Sequence, residues 1–241
     1  MKESEAETLT TEVKKVVLDS GADLVGIVKP CVIDALPKIW VGWTIQEYTK
    51  KAIDVIPDSQ SLIVIGQYLW DEMLELAIRK DDSWIYPGYL PLRNIRRAAI
   101  QHLERKGFKA TAFSSVSHKS LAQLAGFGNF GKNALIINPI YGPWIRLGIV
   151  LTNAVLKPDE PFEQDLCGDC EECVKACPVN ALTPYKVDDT RCLVGVHIAG
   201  NNLERYREEI DKYEPTYTKN SHLMCMECQK ACRYGRDKRL Q

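Results

Sequence analysis

The sequence predicts an α+β (α/β) fold in two parts, a sheet domain over residues 1–156 and a smaller cysteine-rich domain over residues 157–241. Three observations predict it. Helix-like and strand-like segments alternate through the first part, the pattern that builds a sheet with helices packed on it. A polar, proline-containing stretch, KPDEPFEQD, follows. Beyond it the sequence is loop-rich and holds eight of the nine cysteines, all between Cys167 and Cys232.

The elements follow in order. Residues 11–20, TEVKKVVLDS, read as a helix with a threonine near its start and Gly21 past its end. ADLVGIVKP reads as a strand and residues 46–55 as a helix. SLIVIGQYL, residues 61–69, is a buried strand after the turn-like PDSQ. Residues 92–106 form a basic amphipathic helix ending at Gly107, with Arg93, Arg96 and Arg97 on a basic face. KATAF is a strand and residues 116–125 a helix. After the glycine-rich AGFGNFGKN come two more strands, ALIINP and RLGIVLTNAVL. KPDEPFEQD is the linker, and the basic tail RYGRDKRLQ reads as an exposed, solubilising end.

Composition excludes several classes. Apolar residues make up 45%, enough for a core, and a net charge of −1 gives no bulk signal for nucleic acid or a membrane surface. No apolar run approaches the roughly 20 residues needed to span a bilayer. The N-terminus, MKESEAETLTTEVKK, is polar and acidic, unlike a secretory signal. A cytoplasmic protein is expected, without a membrane or nucleic-acid partner.

The cysteines carry the chemistry. Cys167, Cys170, Cys173 and Cys177 precede Pro178, giving the C-x2-C-x2-C-x3-C-P run of bacterial two-cluster ferredoxins, in which the fourth cysteine ligates the other cluster. Cys192 stands alone downstream, and Cys225, Cys228 and Cys232 complete the set. Eight thiolates suit two [4Fe–4S] clusters. By the crossover rule, cluster 1 takes Cys167, Cys170, Cys173 and Cys232, and cluster 2 takes Cys177, Cys192, Cys225 and Cys228. Structural zinc is the competing reading. It favours paired C-x-x-C knuckles in closed four-ligand sites, and the third cysteine and the proline fit that plan less well. Cys31 follows Pro30 and reads as a buried or semi-buried residue with no role.

Gly126, Gly128 and Gly131 spell G-x-G-x-x-G, and the same stretch ends in Gly131-Lys132-Asn133. Neither nucleotide motif has its required context: a helix precedes the loop, a strand follows, and Asn133 replaces the serine or threonine of a P-loop. The stretch reads instead as a tight turn, either one approaching something planar or bulky or one that simply packs well.

AQLAGFGNFGKNALIINPIYGPWIRLGIVLT, then CGDCEECVKACPVNAL, then a lone cysteine, then CMECQKAC, resembles the epoxyqueuosine reductases and, more distantly, the reductive dehalogenases. The resemblance implies a nitroreductase-like, cobalamin-binding sheet domain ahead of a ferredoxin-like two-cluster domain. It implies a base-off corrin between the two, clusters relaying single electrons to cobalt, and an external donor of ferredoxin or flavodoxin type under anaerobic conditions. It implies the same cluster grouping. It places Gly126, Gly128, Gly131, Lys132 and Asn133, with Ser115 and Lys119, around the cofactor.

The departures are specific. Aligned on Ala125 and Gly126, the family's V-D-T-G-P-like stretch falls on TAFSS, residues 111–115, and the proton-donating aspartate becomes Ala112. No carboxylate lies between Lys109 and Ile140. The usual AGLGW is AGFGN, with Asn129 in place of an aromatic residue, and the sequence ends nine residues after Cys232, before any helical repeat domain. Tyr86 and Tyr89 are candidates for the tyrosine of the dehalogenases. His118 is the candidate catalytic acid, since histidine titrates near neutral pH, against the alternative of a solvated residue on a helix face. HIAG, residues 197–200, matches part of a corrinoid motif. Gly195 stands at that motif's aspartate position, so His197 is expected in a loop rather than on cobalt. The expected function is a cobalamin-dependent iron–sulfur reductase with a substrate other than tRNA. The alternative is an electron-transfer protein that reactivates a separate corrinoid protein. A third reading is a carrier whose sheet domain binds no cofactor, or a flavin.

Overall fold

The two apolar runs expected as strands, β1 (Leu24–Val28) and β2 (Ser61–Tyr68), pair antiparallel with Gly26 opposite Val64. In this computed structural model, which describes every residue except 1, 2, 43, 44, 46, 82, 240 and 241, the sheet is completed by β3 (Ala110–Ala112) and β4 (Ile145–Thr152), in the order β1-β2-β4-β3. The first six residues of β2 are all buried. An inner strand has no polar face, so its sequence is a continuous apolar run rather than an alternation.

Three helices serve this sheet: α1 (Glu3–Asp19), α2 (Leu90–Arg105) and α3 (His118–Leu124). α1 and α2 pack together and bury Leu9, Val13 and Val17 on one and Leu92, Ile95, Ala99 and Leu103 on the other, the three-and-four spacing of an amphipathic stripe. α1 starts at Glu3, not at residue 11; Glu3 and Glu5 in its first turn suit the positive end of the helix dipole. α3 leads into Ala125–Phe127, which closes onto the sheet where Gly26 and Gly66 have no side chain. A Cβ on Gly26 would lie 2.7 Å from the Ala125 carbonyl oxygen, and one on Gly66 would lie 3.1 Å from the Phe127 ring.

Three expectations need correction in this part. Residues 46–55 are not one helix. Glu47–Tyr48 pairs with Trp40–Val41 as a hairpin, with the Trp40 ring edge-on to Tyr48 at 5.2 Å, and only Ala52–Val55 is helical. Gln46 lies outside the described residues. The β preference of Tyr48 and its cross-strand aromatic partner outweigh the helical spacing. Cys31 is exposed, at the start of the short helix Pro30–Asp34. KPDEPFEQD is not a free linker. The Asp159 N–H donates to the Ile27 carbonyl oxygen at 2.9 Å, its carboxylate accepts the Ile27 N–H at 2.7 Å, and Lys14 pairs with it at 2.6 Å. The segment therefore covers β1, the edge strand, whose unpaired backbone would otherwise invite other strands.

The chain divides into two units, and the division is not a single cut at residue 156. Unit 1 comprises residues 1–68, 90–128 and 146–163; unit 2 comprises residues 69–89, 129–145 and 164–241. Unit 2 has its own four-stranded antiparallel sheet, in the order Thr216–Thr218, Ser221–Leu223, Leu76–Lys80, Ser83–Ile85. ALIINP contributes only Ile136–Ile137, in a hairpin with Asn129–Phe130. The basic tail is docked rather than loose: the Arg239 guanidinium lies 3.7 Å from the centre of the buried Trp144 ring and pairs with Glu72 at 3.0 Å. Among the described residues no helix is long and apolar enough to cross a membrane.

Candidate iron–sulfur centres

Unit 2 gathers the eight cysteines into two groups. Cys167, Cys170, Cys173 and Cys232 line one cavity, with Lys132, Asn133, Leu166 and Arg233 in its wall. The other four lie close together: Cys192, Cys225 and Cys177, and after them Cys173 of the first group, act on the Cys228 thiol. Cys177, Cys192 and Cys225 pack against a small core of Val179, Ala181, Leu193, Val196 and Tyr206. The spacing C-x2-C-x3-C occurs twice, from Cys170 and from Cys225, and each time the middle cysteine sits on a helical turn, Glu172–Lys175 or Glu227–Lys230. The two turns pack together, and the last cysteine of each belongs to the other turn's set.

Burial sets the protonation of the thiols. Burial pushes Cys225 up to about 12 and Cys232 up to about 11, and raises Cys173, Cys192 and Cys228. As free thiols these stay protonated at neutral pH, so iron binding must release protons. Backbone N–H groups point the other way. Ala181 donates to the Cys177 sulfur at 3.2 Å, and backbone donors at Gly195, Val194, Glu227 and Tyr234 favour thiolates at Cys192, Cys225 and Cys232. Four sulfurs per set, apolar walls and N–H donors aimed at sulfur fit a cubane cluster and its negative charge. None of the nine cysteines, all of them described, is in a disulfide.

The glycine-rich loop is divided between the units, Gly126 and Gly128 in unit 1 and Asn129–Asn133 in unit 2. Gly126 has φ +79°, a conformation that closes the end of α3 and that side chains rarely adopt. A Cβ on Gly131 would lie 2.5 Å from Ile137 Cγ1. Both glycines thus have packing reasons. Lys132 and Asn133 face the cavity of the first cysteine set, and the Asn133 amide lies 3.5 Å from the Cys228 carbonyl oxygen. Asn129 is buried, and its side-chain oxygen accepts the Leu166 N–H at 3.2 Å, which explains an amide where an aromatic residue was expected.

The proposed acid and its neighbours lie in unit 1. His118 Nδ1 is 2.9 Å from the Val116 carbonyl oxygen, and burial, together with the Arg96 charge, pushes its pKa down to about 4. At neutral pH it is a neutral imidazole with no imidazolium proton to give, which counts against the role expected for it. Lys119 is partly buried on α3. The buried Ser115 donates to Glu47, a carboxylate that sequence spacing did not bring to this stretch. Lys50, 2.8 Å away, and Ser115 hold Glu47 below the usual carboxylate range. Ala112, at the end of β3, is exposed.

A cluster of titratable side chains lies beside the second cysteine group. His197 sits on the helix Leu193–Ala199, not in a loop, and its Nδ1 is 2.8 Å from Glu214. Glu214 is 1% exposed and also accepts the Cys225 N–H at 3.1 Å. The His197 and His222 rings stack 3.7 Å apart and 9° from parallel, with Trp84 edge-on to both. Their nitrogens and the carboxylate lie within 4.8 Å of one another, but in-plane lone pairs of parallel rings do not converge on one ion. Burial pushes His222 down to about 4. Nothing in the local sequence DKYEPTY marks Glu214 as a neighbour of a cysteine ligand.

Two interleaved sets of four cysteines define a two-cluster iron–sulfur protein. Comparison with known proteins agrees, since the 4Fe-4S double cluster binding domain family matches residues 166–235. The chain is similar to the epoxyqueuosine reductases. It is 37% identical to an epoxyqueuosine reductase of Synechococcus sp. (strain RCC307) over 207 residues, 80% of this chain and 60% of that protein. A solved epoxyqueuosine reductase with an epoxyqueuosine-modified tRNA-Tyr stem loop shares the fold, with a TM-score of 0.73 at 21% identity over 96% of this chain and 66% of that one. A reductive dehalogenase described as B12-dependent also shares it, with a TM-score of 0.63 at 22% identity, covering 96% of this chain and 32% of that one. The chain thus spans less than two thirds of each of these proteins.

Proposed function

We propose that the chain is an iron–sulfur reductase that relays single electrons through two [4Fe–4S] clusters to a corrin cobalt and acts on a small substrate other than tRNA. The observation that carries the electron relay is the pairing of the two cysteine sets, Cys167, Cys170, Cys173 and Cys232 against Cys177, Cys192, Cys225 and Cys228. The clusters supply one-electron storage; the protein's part is to hold them with eight thiolates, exclude water with the Leu193–Val196 core, and donate N–H groups to sulfur.

The cobalamin part rests on the relatives, one of which is B12-dependent. Lys132 and Asn133 face a cysteine cavity, and Gly126 and Gly131 are accounted for by the turn and by Ile137, so these residues carry no separate signature of a corrin. The substrate part rests on the missing acid. Position 112 is an alanine, Glu47 is held ionised, and His118 is neutral, whereas reducing an epoxide requires a proton from a positioned donor. The same observation favours a second reading, an electron-transfer protein that reduces a separate corrinoid protein.

Anaerobic reconstitution followed by titration with cobalamin decides between the two. A shift of the visible spectrum to the base-off form, with about eight irons bound, supports the reductase. Eight irons without a shift leaves the electron-transfer reading. Zinc in place of iron removes both.

A further inference from the structure

Charge is distributed unequally about the two cysteine sets. Lys132 lines the cavity of Cys167, Cys170, Cys173 and Cys232 and is only 8% exposed. The carboxylate it pairs with, Glu171, stands 3.7 Å off, beyond a good hydrogen bond, on a half-exposed side chain. A buried ammonium is costly unless an anion compensates it. A cubane on four thiolates is such an anion, and its negative charge grows by one on reduction. The Arg233 side chain lines the same cavity. Asp165 accepts the Cys167 N–H at 2.9 Å, but it is exposed, as are Asp169 and Glu172, and Glu171 is half-exposed, so water and salt screen these acids as they do not screen the buried Glu214.

The other set has the opposite neighbour. Glu214, 1% exposed, accepts the N–H of Cys225 itself. His197 bonds its other oxygen, so the carboxylate is solvated by the protein. Its position still sets negative charge against a centre that gains negative charge on reduction. A fixed cation favours the reduced form of a cluster and a fixed anion disfavours it, more strongly in a low-dielectric interior than in water.

We propose that the cluster of Cys167, Cys170, Cys173 and Cys232 is the higher-potential centre, so that an electron entering the chain settles there. Lys132 raises that centre and Glu214 lowers the other. The step is the transfer of one electron from the second cluster to the first, with no bond made or broken; an external one-electron donor then re-reduces the second. Lys132 and Glu214 tune the centres and touch no substrate. The proposal rests on the cluster grouping above.

The test is an EPR-monitored redox titration of the reconstituted full chain, with iron content measured on each sample. Cys232→Ser, which shifts or removes the signal of the first cluster, identifies its wave. The expected result is that this is the upper wave. Lys132→Met lowers it by at least tenfold in the one-electron reduction constant, which is 59 mV. Lys132→Arg keeps it in place, and Glu214→Gln raises the lower wave. Lys132→Gln is read in the same way should Lys132→Met fail to hold its clusters. The proposal is overturned if Cys232→Ser marks the lower wave, or if the upper wave stays put in a charge-neutral Lys132 variant with eight irons bound. Fewer than eight irons in the unmodified chain would instead remove the grouping, and this proposal with it.

Discussion

Replacing Asp159 with alanine should loosen the edge strand β1 without touching the sheet's interior. The carboxylate accepts the Ile27 N–H at 2.7 Å and the Lys14 ammonium at 2.6 Å. A hydrogen bond to a charged group contributes about 1.5–3 kcal/mol. The ion pair, about a third exposed on each side, adds at most about 1 kcal/mol. The reciprocal backbone bond, from the Asp159 N–H to the Ile27 carbonyl, survives the substitution. A net loss of about 2 kcal/mol is therefore expected, roughly 30-fold at 1.4 kcal/mol per decade. Native-state hydrogen exchange read on peptides covering Leu24–Val28 measures it, because local opening free energies appear directly as exchange rates. Lys14→Met, which removes only the ion pair, should accelerate the same peptides about fivefold or less. If Asp159→Ala exchanges no faster than Lys14→Met, the carboxylate does not hold the strand and segment 157–163 is a linker after all.

Other outcomes follow from the same geometry. Gly131→Ala places a Cβ 2.5 Å from Ile137 Cγ1 and should cost about 1–3 kcal/mol by overpacking. Ile137→Ala in the same chain should recover part of that in a double-mutant thermal-stability cycle. Cys31→Ser, at an exposed position, should leave iron content and both cluster signals unchanged, whereas Cys228→Ser should reduce the iron bound. His118, with a folded pKa of about 4 below the unfolded value near 6.5, makes the unfolded chain the first to take up a proton. Its contribution to stability is complete above pH 6.5 and is lost as pH falls toward 4. His118→Gln should flatten stability across that window, and proton NMR of the unmodified protein should show no His118 titration between pH 6 and 8.

What the sequence made legible was whatever local pattern determines. The buried strands β1 and β2 declared themselves as apolar runs, and α2 by its basic face and closing Gly107. The iron–sulfur segment was marked by its cysteine spacing alone, because two-residue gaps fix how sulfurs can converge. Long-range company was not legible. Lys132 faces cysteines 35 or more residues downstream, and Glu214 reaches Cys225 through a turn of the chain that no motif marks. Asp159 looked like linker because proline and charge are surface signals, whereas its role depends on β1, more than a hundred residues earlier. The hairpin at Trp40–Tyr48 was misread because an aromatic pair across two strands is invisible to a single-segment periodicity.

The exchange of closing cysteines between the helical turns Glu172–Lys175 and Glu227–Lys230 binds the fate of one centre to that of the other. Neither turn owns a full ligand set: Cys177 leaves the first turn's group and Cys232 leaves the second's. Iron extracted from one site frees a thiol on the backbone segment that shapes its neighbour. A half-built protein is therefore a poor resting state, and assembly favours chains that are either fully charged with iron or empty.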